Sequence, residues 1–465
     1  MSSFTKSNQF INGVDISMLK QVEENGGLFY ENGNQIDPIQ IFKDKGINTA
    51  RIKIWHTPSL NYNNLESVLE IADRASSVGL DLFLDFHYSD TWADPSSQTK
   101  PSAWVDLNFE TLCDSLEQYS HHVITKLKNQ NTLPKYVQIG NETDCGFLWP
   151  DGYVCDESNN DSQWNKLRDL FMHAIEGINS ALDTQDTLKI ISHVSSGGNW
   201  FFNNLIGQGV DIDILSISYY PMWHGTLSDL NQNMDELGNE FQKPVLIVET
   251  AYPFTLQWND NTNNILGLET QLLEDYEASE EGQFTFLHDL ITLVDENDYG
   301  LGICYWAPDW ISTNQFGSPW ENQALFDFDG ELLDAISVFD NSSVAIKRID
   351  NFSLNNIYNY PNPFNPITTL RYDLPEDAFV RITVYDMLGK VVSNLLSTNQ
   401  SSGNKSLQWN ATNNQGQPVS AGLYLYTIEV GDFRQTKKMV LLKQIYPFYD
   451  IKPHIRGVFC LCDDE

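Results

Sequence analysis

Leu80-Asp81-Leu82-Phe83-Leu84-Asp85-Phe86-His87-Tyr88-Ser89-Asp90-Thr91-Trp92 opens as an almost unbroken apolar run and ends in histidine, carboxylate and aromatic side chains. Such a run reads as a strand buried on both faces, as in a parallel sheet. The pattern recurs at Ile11–Ile16, Ile47–Trp55, Tyr136–Glu142, Lys189–Val194, Ile214–Tyr220, Val245–Tyr252 and Leu301–Ala307, giving eight candidate strands with Leu80–His87. Amphipathic stretches such as Leu65–Ser77, Phe109–Lys128, Gln163–Leu182 and Phe284–Glu296 lie between them. Eight βα repeats in about 300 residues predict an α/β fold, a (β/α)8 TIM barrel over residues 10–340. A doubly wound open sheet is the alternative. No GxGxxG or GxxxxGK[ST] follows any strand, which weakens a nucleotide-binding version of it.

The strand ends carry the chemistry. Strand 2 runs into Trp55-His56-Thr57-Pro58, strand 4 into Gly140-Asn141-Glu142 and strand 5 into His193. Strand 6 ends in Ser218-Tyr219-Tyr220-Pro221-Met222-Trp223-His224, strand 7 in Glu249-Thr250-Ala251-Tyr252 and strand 8 in Tyr305-Trp306-Ala307-Pro308-Asp309-Trp310. Polar and aromatic groups gather at the C-terminal ends, where barrel enzymes place their active sites. Glu142 and Glu249 come from opposite sides of the mouth, so their carboxylates can face one another. About 5–5.5 Å between them suits a retaining glycosidase, and roughly 6.5–9.5 Å an inverting one. Tryptophans near the rim suit the apolar C–H faces of sugar rings. A catalytic zinc is not expected, because there is no HExxH and His87, His193 and His224 sit on three different strands. No GxSxG elbow supports a serine hydrolase.

The 465 residues include 63 Asp and Glu against 27 Lys and Arg, a formal net charge of −36. Residues 341–465 hold 12 basic and 11 acidic side chains, leaving 15 and 52 for residues 1–340, a net of −37 there. The change near residue 340 marks a domain boundary. Such negative charge repels phosphate backbones, so no nucleic-acid partner is expected. With 41% apolar and 12% aromatic residues the chain can fill a large core, which excludes a disordered protein. No apolar run approaches the roughly 20 residues of a membrane span. Met1–Phe10 has no apolar signal core, so this stretch predicts no export signal. Cys113, Cys145, Cys155, Cys304, Cys460 and Cys462 are too scattered for a disulfide framework. Cys145 and Cys155 either close a short loop or remain free thiols.

Longer motifs narrow the reading. Residues 84–95, LDFHYSDTWADP, followed by Gln98-Thr99-Lys100-Pro101 and Trp104, resemble glycoside hydrolase family 53 of clan A. So do Gly140-Asn141-Glu142, Leu148-Trp149-Pro150-Asp151-Gly152, Ser218-Tyr219-Tyr220-Pro221, Trp223-His224-Gly225-Thr226-Leu227 and Glu249-Thr250-Ala251-Tyr252-Pro253. The resemblance implies a retaining endo-β-1,4-galactanase acting on type I arabinogalactan and pectin side chains. It implies Glu142 as acid/base, Glu249 as nucleophile, and Asn141 on the sugar 2-hydroxyl. It also implies that Arg51, His87, Asp90, Tyr220, Trp223, His224 and Trp306 line the cleft. Thr143-Asp144-Cys145 departs from the family pattern, beside the site rather than in it. Some members bind a structural calcium in the loop after strand 7. Trp258–Asn264 offers oxygen ligands there but matches no calcium loop, and an Asn-rich solvated loop is the better reading. No cofactor is expected to be required, and the metal assignment stays open. Alternatives are a clan A hydrolase for mannan or xylan, or a non-catalytic polysaccharide-binding protein.

Residues 341–355 read as a linker. Alternating runs at Thr368–Leu374, Ala378–Asp386, Lys405–Trp409, Gly422–Val430 and Gln435–Leu442 predict a small all-β sandwich over residues 356–443. Tyr385-Asp386-Met387-Leu388-Gly389-Lys390, Ala421-Gly422-Leu423-Tyr424 and Lys437-Lys438-Met439-Val440 resemble a type A sorting domain. That resemblance implies the type IX secretion machinery as a partner and a secreted or cell-surface location. A small carbohydrate-binding module is the alternative, without an exposed aromatic triad to support it. Residues 444–465 fit neither domain. A monomer is expected.

Overall fold

Each of the eight predicted barrel strands is present in the computed structural model, which describes residues 10–155, 161–340, 355–374, 377–430 and 433–442. They are β1 (Ile11–Asp15), β2 (Thr49–Ile54), β3 (Asp81–Phe86), β4 (Tyr136–Ile139), β5 (Lys189–Val194), β6 (Ile214–Ser218), β7 (Val245–Thr250) and β8 (Gly300–Trp306). All pair in parallel, and β8 closes back onto β1. The strands stop one to three residues before the polar rim that the sequence appended to most of them, because those residues already belong to the loops above the barrel. Asn64 and Asn108 cap the helices Leu65–Ser77 and Phe109–Asn129 by accepting the amides of Ser67 and Thr111.

The barrel interior is apolar at its base. Ile11, Phe83, Tyr136, Ile191, Ile214, Leu246, Val248, Leu301 and Cys304 form one cluster there. Space is tight: a Cβ on Gly13 would lie 2.4 Å from Cys304 Sγ. Above this layer the inward positions become polar, starting with Asp15, Arg51, Lys53, Asp85 and Gln138, all buried. The opposite strand faces pack against the helices in a larger apolar cluster that includes Ile52, Leu84, Val137, Ile217 and Ile247.

Two compact units divide between residues 344 and 345. Among the described residues the second has seven strands, β9 (Asn355–Tyr360), β10 (Thr368–Leu374), β11 (Ala378–Asp386), β12 (Val391–Gln400), β13 (Gly403–Trp409), β14 (Gly422–Val430) and β15 (Phe433–Leu441). They form a three-stranded sheet, β9-β10-β13, and a four-stranded sheet, β12-β11-β14-β15. Trp409, Tyr426, Val380, Ile382 and Ile428 fill the core of this unit. The sequence reading missed β9 and β12. β12 is an edge strand in which Ser393 alone is buried, so its VVSNLLSTNQ lacks the alternation that marks its neighbours. The predicted linker, apart from Asn355, and the tail from residue 444 lie outside the described residues, as do Cys460 and Cys462. No helix among the described residues is long and apolar enough to cross a membrane.

Candidate active site

The site begins at a sharp turn after β4. Gly140 and Glu142 both take left-handed backbone conformations, with φ of +75° and +44°. A non-glycine residue in that region carries strain, and only a well-determined surrounding holds it there. The surrounding is β5: Glu142 N–H donates to His193 Nδ1 at 3.2 Å, and Thr143 N–H to the His193 carbonyl at 2.8 Å. Receiving that N–H on Nδ1, His193 carries its proton on Nε2, 3.0 Å from Ser218 Oγ. Ser218 in turn donates to Glu142 Oε1 at 2.7 Å. Glu142 is thus pinned through one oxygen, leaving Oε2 to carry a proton. Complete burial beside the Arg51 charge keeps His193 neutral, well below the usual histidine range.

Glu249 arrives by a different device. Between Ile217↔Ile247 and Ser218↔Glu249 the register of β6 and β7 shifts by one residue. The bulge lets Val248 join the interior apolar cluster while Glu249, the next residue, also turns inward. Glu249 Oε1 lies 3.1 Å from Arg51 Nη1, and Oε2 accepts the Tyr220 hydroxyl at 3.1 Å. Arg51 is a buried hub. It meets Asp15 at 2.7 Å, Asp85 at 2.9 Å and Asn141 Oδ1 at 2.9 Å. Gln138 donates to Asp85 at 2.7 Å, which links β3 and β4 beneath the site. His87 Nδ1 accepts from the Trp55 indole and the Ala93 amide, so its Nε2–H faces Asp85 at 3.0 Å.

The two glutamates share one cavity of about 310 Å³. Burial raises both carboxyls. Glu142 is pushed well above the usual range, and the Glu249 charge adds to the rise. Glu249 is pushed up to about 7, with Arg51 pulling against the burial effect. Among the described residues no basic side chain pairs with Glu142. A single proton shared by the pair therefore belongs on Glu142, leaving Glu249 as the carboxylate held by the guanidinium.

Of the residues singled out from sequence, Glu142, Glu249, Asn141, His87, Tyr220, Trp223 and Trp306 line this cavity. Three fall elsewhere. Arg51 is 1% exposed and lies under Glu249 and Asn141 rather than on the cleft wall. Asp90 ties loops together, accepting the Thr57 amide and the amide and hydroxyl of Ser102. His224 borders a neighbouring cavity, shared with Trp223 and Ser218, and accepts the Tyr220 amide on Nδ1. Trp92, Asp94, Trp310 and Trp320 line the main cavity without having been singled out for it. Trp92 and Trp310 stood among the rim tryptophans. Trp320 had no signal, because it lies in the irregular segment that follows β8.

Cys145 and Cys155 form a disulfide, resolving the choice the sequence left open. In the Trp258–Asn264 loop, the Asp260 carboxylate accepts the amides of Thr262 and Ser318, and Glu321 accepts the Asn259 amide.

Comparison with known proteins agrees with this geometry. The Glycosyl hydrolase family 53 model matches residues 11–339, and the FlgD Ig-like domain model matches residues 366–432. An uncharacterised Niallia circulans protein encoded in the bgaB 5′ region is 40% identical over 346 residues, covering 71% of this chain and 94% of its own length. An arabinogalactan endo-β-1,4-galactanase of Cellvibrio japonicus is 35% identical over 333 residues, covering 68% and 86%. The solved GH53 catalytic domain of Ignisphaera aggregans is 36% identical with a TM-score of 0.66, covering 71% of this chain and 95% of that one. With the family model spanning the whole barrel and both glutamates in one cavity at its mouth, the chain belongs to glycoside hydrolase family 53.

Proposed function

We propose that the chain is a retaining endo-β-1,4-galactanase with Glu249 as nucleophile and Glu142 as acid/base. The observation that carries this is the unequal pair: two buried carboxyls in one aromatic-walled cavity, one held by Arg51 and the other without a cation. Glu249 attacks the anomeric carbon as protonated Glu142 gives its proton to the departing glycosidic oxygen. Water activated by Glu142 then releases the glycosyl-enzyme. Asn141 has one amide hydrogen on the Ala93 carbonyl, at 2.9 Å, and the second is assigned to the sugar 2-hydroxyl. Galactan is favoured over mannan or xylan by the named relatives. The retained carboxylate pair speaks against a purely binding role.

The test is to incubate the protein with galactan, mannan and xylan, size the products, and follow the first anomer by NMR. Short β-configured galacto-oligosaccharides are expected. Cleavage of mannan or xylan instead would overturn the substrate, and a first-formed α-anomer would overturn retention. The pH profile of kcat/KM should be a bell. Its acidic limb follows protonation of Glu249, so activity falls as pH falls through a value above 4.5 and toward 7. Its alkaline limb follows loss of the Glu142 proton. An acidic limb at or below the ordinary carboxylate value would contradict this assignment.

We read the C-terminal unit as a sorting domain for the type IX machinery, delivering the enzyme outside the cell or to its surface. The support is the Tyr385–Lys390 run and its companions; the FlgD Ig-like match is coarser and describes the fold. A chain ending at residue 344 should cleave soluble galactan within about twofold of the full chain. A loss beyond about tenfold, roughly 1.4 kcal/mol in the barrier, with the barrel still folded, would make the domain a binding module.

A further inference from the structure

Lys53 points inward from β2 and is 2% exposed. Among the described residues no carboxylate pairs with its ammonium. The nitrogen touches Met18 Sδ at 3.3 Å and lies 4.1 Å from the centre of the Trp92 ring and 5.4 Å from that of Trp55. An unpaired buried ammonium costs far more than a methionine or leucine in the same space. The face of Trp92 offsets part of that cost, beside the longer-range attraction of Asp15 and Asp85.

Trp92 needs such a restraint. It sits in the loop beyond β3, with no strand hydrogen bonds to fix it, yet it lines the cavity of Glu142 and Glu249. Its ring stacks on Trp310 at 6.3 Å and 14°, and meets Trp306 at 5.9 Å and Trp55 at 5.4 Å. A rotation of Trp92 would therefore disturb the whole aromatic wall. Resting on the galactanase reading above, we propose that Lys53 is a positioning residue for substrate: its ammonium, seated against the Trp92 indole, fixes the wall on which the galactan chain packs.

The charges around Lys53 come from every side. Asp15 on β1, Asp85 on β3 and Asp309 in the loop after β8 attract its ammonium, while Arg51 on β2 repels it. Asp15 and Asp85 are already engaged by Arg51. Asp309 is wholly buried with neither carboxyl oxygen hydrogen-bonded, and burial pushes it well above the usual range, which weakens its pull on the ammonium. Burial lowers Lys53 itself to about 8. The ammonium is present below that pH and is lost above it, so KM for galactan should climb as pH passes through 8.

The experiment uses the full chain with Lys53→Met, Lys53→Arg, Trp92→Ala and the Lys53→Met/Trp92→Ala double variant. Lys53→Met should raise KM for galactan about fivefold with kcat changed less than about twofold, in the range expected for a lost cation–π contact. Its KM should no longer vary between about pH 7 and 9.5, and Lys53→Arg should restore the low KM without the alkaline rise. In the Trp92→Ala background the same replacement should add nothing, since both changes act through one ring. A folded Lys53→Met protein with unchanged KM, or full additivity in the double variant, overturns the proposal. If Lys53→Met does not fold, the wild-type enzyme decides: a KM that stays flat through pH 8 overturns it, and a rising KM supports it. Failure of the galactanase reading looks different, because the wild-type protein would then leave galactan uncut.

Discussion

Glu249→Ala protein is expected to keep its fold and lose turnover of galactan and aryl galactosides alike. Without this carboxylate no covalent glycosyl-enzyme forms, so the loss should reach at least about 10⁴-fold, or more than about 5 kcal/mol in the barrier. The fold should survive because Arg51 keeps Asp15, Asp85 and Asn141, and because a buried carboxyl is removed along with its desolvation cost. Reducing-sugar release and a thermal melt measure the two halves of this expectation. Activity within a hundredfold of wild type would remove Glu249 from the nucleophile role.

Glu142→Ala should divide the substrates. Galactan has a poor leaving group that needs the Glu142 proton, whereas a dinitrophenyl galactoside departs without one. Galactan turnover should therefore fall about 10³-fold or more, against a much smaller loss for glycosyl transfer from the activated substrate. Azide, small enough to occupy the space left by the side chain, should accelerate the second step and give a β-galactosyl azide detectable by NMR. Equal loss on both substrates with no azide product would show that Glu142 is not the acid/base. The relay His193–Ser218–Glu142 adds a detail: Oε1 is occupied by Ser218, so the transferred proton leaves from Oε2.

The barrel was legible because burial on both faces leaves strands as nearly continuous apolar runs. Glu142 was legible as well, following directly on such a run. Arg51 was placed on the cleft wall by the family resemblance alone. The structure covers it with Asn141 and Glu249, and neither cover can be deduced from β2 itself. The bulge that turns Glu249 inward is a register event between β6 and β7, invisible in either strand alone. Asp90 carried the right chemistry for a sugar contact but is used by the amides of its own neighbourhood. Trp320 reaches the cavity from a segment with no periodicity to place it. Strand interiors obey patterns, and loops obey contacts made far along the chain.

The Arg51 hub has a consequence for how the molecule comes to exist. Its partners come from β1, from β3, from the turn after β4 and from β7, and in the closed ring β8 is the strand that lies between β7 and β1. A partly assembled barrel that lacks one of these elements leaves this guanidinium short of an acceptor in a dehydrating interior, which is costly. The half-built barrel is thus penalised by the same charges that serve catalysis. Glu249 is the last of these partners in the chain, so the charge constellation is complete only once β7 has joined the ring. From then on these groups stand oriented before any sugar arrives, so little reorganisation is left for the reaction itself to demand.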